Sequence, residues 1–311
     1  MSTLFCLFAP DIYSFVTLRL IQGIAGAGGI VISRSVAIDK FSGKELAKML
    51  AVIGAINGVA PVAAPVIGGL LTGSVGWQGI FMILLFIGIL LGIGCIRFKE
   101  SLPAEKRSKT GVWATFRSFG IIVHNRRYML YVFQLAFAQG ILFAYIASSP
   151  FIIQQHYGFS PFAFSICFAV NAVAIGVAAA LSVKFRRTEN GTLTGCVGML
   201  VFAVLQMAAL YSGCGFWTYE LLMFALLFMM GLTFTASTTL AMDCERRYAG
   251  AASALLGALC FASGGIVSPL VGLGDILIST GVTFVICAVC SLLCALWAVK
   301  RTGPKVALCR I

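Results

Sequence analysis

The chain has 311 residues, of which 60% are hydrophobic and only 10% charged, with a formal net charge of +12 and a mean hydropathy of +1.02. Soluble domains run about 45–50% apolar and about 25% charged, so the composition excludes a soluble enzyme and a disordered chain. The basic residues fall in short clusters between apolar runs of about 20 residues, the length that crosses about 30 Å of hydrocarbon. No alternation at every second residue marks barrel strands, which leaves an all-α polytopic membrane protein.

Leu4 to Ala9 is apolar but too short to cross, and it lacks the basic flank of a signal peptide. Nine full spans are expected after it, at approximately 12–38, 47–72, 77–97, 128–153, 160–183, 191–212, 218–241, 248–271 and 276–299. They group into an incomplete N-terminal bundle over 1–97, a cytoplasmic connecting loop over 98–127, and a six-helix C-terminal bundle over 128–311.

The first span carries Arg19, about seven residues inside the membrane, where a charge is costly without a partner or a cavity. Gln22 lies one turn on, which favours a cavity-facing arginine; the alternative is an arginine that snorkels to the outer interface. Gly23, Gly26, Gly28 and Gly29 let a neighbouring helix approach. In the second span, Pro61 and Pro65 remove backbone donors four residues apart, and Gly54, Gly58, Gly68 and Gly69 surround them. That pattern predicts a bend with tight packing. In the long connection, Trp113, Phe116, Phe119 and Val123 recur at helical spacing among Arg117, His124 and Arg126, as in an amphipathic helix on a lipid surface.

The C-terminal half offers candidate substrate-cavity residues: Gln134, Gln139, Tyr145, Asn171, Met229, Met230 and a hydroxyl-rich run from Thr233 to Thr239 that includes Thr235. Such side chains suit bulky amphipathic substrates, although each could equally serve helix packing. Cys287, Cys290 and Cys294 share a helix face, but with His124 and His156 the only histidines, packing explains them better than a metal. Gly272-Leu273-Gly274-Asp275 imitates an intramembrane aspartyl-protease motif, yet Asp39 and Asp243 fall at the opposite membrane side, so no catalytic pair forms. No phosphate-binding loop is present, and no cofactor is expected.

Twenty-one of the 22 basic residues lie on alternating connections, and the connections near 73–76, 154–159, 213–217 and 272–275 hold none. The positive-inside rule then places the C-terminus in the cytoplasm. The charge is a topology signal that implies contact with the lipid bilayer and not with nucleic acid. A shift of 204 superposes Asp39 on Asp243, Pro65 on Pro269 and Gly68 on Gly272. Parallel six-span repeats would produce that offset, and would put the counterpart of Tyr128 about 76 residues ahead of Met1. The expected fold is therefore about nine helices of a twelve-helix arrangement.

Arg19, Gln22 and Gly23, followed by Ala64, Pro65, Gly68 and Gly69, resemble the fourth- and fifth-helix signatures of drug:proton antiporters in the major facilitator superfamily. Lys99-Glu100-Ser101-Leu102-Pro103 and Ala249-Gly250-Ala251-Ala252-Ser253 are similar to segments of its bicyclomycin/chloramphenicol-resistance branch. The first two helices of that family, with the acidic residue members commonly carry in the first, have no counterpart here. The resemblance implies a transporter and not an enzyme: proton-driven multidrug efflux by alternating access in the bacterial inner membrane. Its partners would be protons and a small amphipathic substrate, and Arg19, Gln22, Gly23, Gly58, Pro61, Pro65, Gly68 and Gly69 its transport motifs. The alternatives are a fragment that inserts but transports nothing and a small-metabolite transporter of the same fold. Asp11, Glu220 and Asp275 lie at outer helix ends and the other acidic residues at or beyond inner ends, so none is expected at mid-membrane. Without such a group, the 311 residues alone are expected to show no proton-driven efflux.

Overall fold

The computed structural model describes residues 2–41, 43–97, 119–182, 184–185, 187–245 and 248–300, with many side chains between 30 and 72 outside that description. The described elements are helical, and the chain divides into two compact units, Met1–Lys109 and Thr110–Ile311.

In the first unit, α1 (Ser2–Leu7) is followed by α2 (Ile12–Lys40) and α3 (Gly43–Ile96). Asp11 starts α2 by accepting from the Ser14 backbone N–H at 2.7 Å, which satisfies a first-turn donor. The helix α3 is broken once, at Gly76, with φ 65° and ψ −177°. A side chain would strain that conformation, and the break falls in the connection expected near 73–76. Phe15 of α2 meets Trp77 and Phe81 of α3 edge-on at centroid separations of 6.1 and 5.6 Å. These ring pairs join the two helices beyond simple area burial.

The second unit begins, within the described residues, with a short helix over 119–124, here α4. Most of the expected amphipathic helix, including Trp113, Phe116 and Arg117, lies outside the described residues. The long helices are α5 (Arg126–Pro150), α6 (Pro161–Ser182), α7 (Thr188–Tyr211), α8 (Phe216–Cys244), α9 (Ala249–Val271) and α10 (Ile276–Lys300). Asn125 caps α5 by accepting from the Tyr128 N–H, and its amide donates to Glu245 Oε1 at 2.6 Å. Past Pro150, α5 widens into a π-helical turn, Phe151–His156, where proline has withdrawn a backbone donor.

The core of this unit is built from Tyr145, Met199, Met223, Met230 and Phe284, with small residues at the helix crossings. At Gly231 a Cβ would stand 2.5 Å from the Ile175 carbonyl oxygen, so α8 and α6 touch backbone to backbone there. Large apolar side chains also face outward, among them Phe261, Ile286 and Trp297. Buried amides and hydroxyls inside an apolar exterior reverse the soluble pattern and fit a lipid surround.

Among the described residues, seven segments are long and apolar enough to cross a membrane: Gly73–Ile96, Arg126–His156, Pro161–Ser182, Thr188–Tyr211, Phe216–Cys244, Gly250–Val271 and Ile276–Lys300. The other two expected spans fall on α2 and the first part of α3, whose side chains are described only in part.

Candidate functional site

In the first unit, Arg19 and Gln22 share a face of α2 because they are three residues apart. Arg19 Nη1 donates to Gln22 Oε1 at 2.6 Å, and Gln22 Nε2 donates to Thr3 Oγ1 at 2.8 Å. The Arg19 guanidinium also lies 5.5 Å from the centre of the Phe81 ring. The charge is thus held by an amide and an aromatic face from two helices, while the amide fastens α1. Open space surrounds the Cβ direction of Gly23 and Gly68. Gly58, Pro61 and Pro65 lie on α3, but their side-chain surroundings are outside the described residues.

In the second unit, the sequence candidates separate into three groups. Gln134 is completely buried; its Nε2 donates to Ser291 Oγ at 3.1 Å and to Cys196 Sγ at 3.4 Å. This fastens α5 to α10 and α7. Gln139 is half-buried, and its Oε1 has no hydrogen-bond partner. Met230 is packed within the core.

The hydroxyls of the Thr233–Thr239 run are largely taken by nearby helix carbonyls. Thr233 donates to Met230, Thr238 to Phe234 and Thr239 to the Thr235 carbonyl. Local bonds of this kind satisfy the hydroxyl within its own helix. Ser237 instead meets Thr192 Oγ1 at 3.1 Å, across to α7.

Tyr145 and Asn171, chosen independently from the sequence, meet. Asn171 is buried in the middle of α6, and its Nδ2 donates to Tyr145 Oη at 3.1 Å. The same nitrogen donates to Glu220 Oε1 at 2.8 Å. Tyr145 stacks on Phe168 with a centroid separation of 5.6 Å and an interplanar angle of 14°. Glu220 is the residue that the sequence reading did not select. It lies near the start of α8, as a residue at a helix end should, but its carboxylate turns inward to the other two helices. Its immediate neighbour Tyr219 is fully buried.

Tyr157, in the connection before α6, packs its ring against Phe216 and Tyr219 and donates its hydroxyl to the Cys214 carbonyl. Burial pushes the Tyr157 hydroxyl above its usual pKa, so it remains a donor there.

Asp275 has a plainer role than its motif suggests. Its Oδ1 accepts from the backbone N–H groups of Leu277 and Ile278 at 2.8 and 3.2 Å, which caps α10. Among the described residues, no three His, Cys, Asp or Glu side chains gather as a metal site would need. Apolar grooves open along Val170, Val173, Val177, Phe224 and Phe228 in the second unit, and along Phe5, Phe8, Tyr13 and Leu18 in the first. Neither is lined by a candidate substrate residue.

Known proteins were compared with this chain by sequence and by fold. It is 36% identical over 282 residues to the uncharacterized MFS-type transporter YdgK of Bacillus subtilis, which spans 88% of this chain and 70% of that protein. It is 29% identical over 272 residues to a bicyclomycin resistance protein homolog of Haemophilus influenzae, covering 83% of this chain and 66% of the relative. The chain therefore spans about two thirds of the length of these relatives.

A bacterial homolog of the human lysosomal transporter Spinster, in an inward-facing and unoccupied conformation, shares the fold with a TM-score of 0.71 at 18% identity. That likeness covers 96% of this chain and 81% of the other. A D-xylose-proton symporter matches with a TM-score of 0.65 at 16% identity, over 93% of this chain and 71% of the symporter. Residues 1–269 match the sequence model of the Major Facilitator Superfamily. With a buried polar interior, an apolar exterior and that match over most of its length, the chain belongs to the Major Facilitator Superfamily, a family of transporters and not of enzymes.

Proposed function

We propose that the protein exports bulky amphipathic drugs across a bacterial inner membrane by alternating access, driven by protons. About nine of the family's helices would lie in this chain, with the C-terminus in the cytoplasm. The observation that carries the reading is the Arg19–Gln22 pair, 2.6 Å apart inside an apolar helix. A guanidinium at membrane depth is tolerated where partners or a cavity compensate it. The similarity to the bicyclomycin resistance protein homolog supports drugs over metabolites as the cargo.

The test is ethidium and chloramphenicol accumulation in cells expressing the protein from its native reading frame. Accumulation should fall below that of vector controls, and an uncoupler should abolish the difference. Arg19→Ala should restore accumulation while leaving the amount of protein in the membrane unchanged. An uncoupler-insensitive difference, or none, would overturn proton-driven export. Normal export by Arg19→Ala would remove the arginine from the mechanism.

A further inference from the structure

The Tyr145–Asn171–Glu220 cluster has an imbalance of donors and acceptors. Both N–H groups of the Asn171 amide are spent, one on Tyr145 Oη and one on Glu220 Oε1. Two acceptors then remain buried without a donor: Asn171 Oδ1 and Glu220 Oε2. The hydroxyls of Tyr219 and Ser149 are also buried without a hydrogen-bond partner. An ionised carboxylate only accepts, whereas a protonated one also donates. Of these atoms, Glu220 Oε2 belongs to the one group that can take up a proton and so turn from acceptor to donor.

The amide gives the cluster a second arrangement, in which its NH2 group moves to the place now held by Oδ1. One atom, Nδ2, faces both partners. If the Asn171 amide turns over, its carbonyl oxygen takes that place and becomes an acceptor. Tyr145 O–H and a protonated Glu220 O–H can then both donate to it. With the carboxylate charged, NH2 faces the pair; with the carboxyl neutral, C=O faces it. Carbonyl and amino groups of an asparagine have nearly the same shape, so the exchange needs little room.

The groups presented to Glu220 contain no counter-charge. α5 contributes Tyr145, α6 contributes Asn171 and Cys167, and α8 contributes Tyr219. Among the described residues, no lysine, arginine or histidine pairs with the carboxylate.

We propose that Glu220 and Asn171 form a proton-binding site within the second unit, in which Glu220 takes up one proton from water and Asn171 turns its amide in response. Hydronium gives its proton to a Glu220 carboxylate oxygen and leaves as water; release reverses the step. Binding cancels one negative charge inside the helix bundle and replaces two amide-donated bonds with two amide-accepted ones. This deepens the proton-coupled reading by naming the carboxylate, and rests on it only for its use in transport.

The experiment is infrared difference spectroscopy on the purified protein in lipid nanodiscs, titrated from about pH 8 to about pH 5. A carbonyl stretch from a buried carboxylic acid should grow as protons bind, and Glu220→Gln should remove it entirely. Asn171→Leu should retain the band at an altered frequency and midpoint, because the acid has lost its amide partner. A band of unchanged size in Glu220→Gln would overturn the site, and an unaltered Glu220 band in Asn171→Leu would overturn the amide's part. The measurement requires no transport. A band with no efflux would overturn the export reading alone, and uncoupler-sensitive efflux with no band would overturn this site alone.

Discussion

Asp11 and Asp275 each spend a carboxylate on the first turn of the helix that follows. The Ser14 backbone N–H holds the Asp11 carboxyl below its usual pKa. A lowered native value means that the folded state binds the proton less readily than the unfolded chain. The stabilisation is therefore present above the unfolded value, about 3.9, and is lost as pH falls through the lower native one. Asp11→Ala should accordingly narrow the gap in melting temperature between about pH 6 and about pH 3, as read by a thermal unfolding series. An unchanged gap would mean that the cap contributes nothing to stability.

The Arg19–Gln22 contact was legible in the sequence because a spacing of three fixes two side chains on one helix face. Tyr145 and Asn171 were legible by type alone, since their meeting depends on how α5 and α6 are rotated about their axes. Glu220 was missed for a related reason. Its position near a helix end suggests an interfacial charge, while the direction of its side chain is set by helix packing that no local pattern encodes.

Between elements, the closest approach bearing on the Asn171–Glu220 pair is α6 against α8. The Cβ of any larger residue at Gly231 would meet the Ile175 carbonyl at 2.5 Å and the Ala178 methyl at 2.8 Å. Gly231→Leu should therefore destabilise the second unit by about 1–3 kcal/mol through overpacking. Gly257→Ala, where a Cβ would meet nothing within 4 Å, should cause no loss. Thermal unfolding of both variants in detergent checks the contrast, and equal melting temperatures would refute it.

Helix positions were read well from the apolar runs: 160–183 corresponds to Pro161–Ser182, and 191–212 to Thr188–Tyr211. The π-helical turn after Pro150 was not legible, because proline reports a missing donor but not how the helix reorganises around it. The break in α3 was, since a gap near 73–76 was needed to divide an apolar run too long for a single crossing.

Across the whole molecule, the distribution of charge carries more information than its sum. Lysines and arginines cluster on every second connection, the pattern on which the proposal of a cytoplasmic C-terminus rests. A green fluorescent protein fused after Ile311 should fluoresce, and alkaline phosphatase fused there should be inactive; the opposite pair of results would invert the topology. The Gly76 break also has a consequence for how the chain enters a membrane as it is made. No charged residue lies between Lys48 and Arg97. As an unbroken rod, the 54 residues of α3 would be about 81 Å long at 1.5 Å per residue, more than twice the roughly 30 Å of hydrocarbon available. One glycine's left-handed backbone thus decides whether this segment can be accommodated by a bilayer at all. The insertion machinery would receive two uncharged apolar stretches joined at Gly76, a junction that crosses without dragging an ion through lipid.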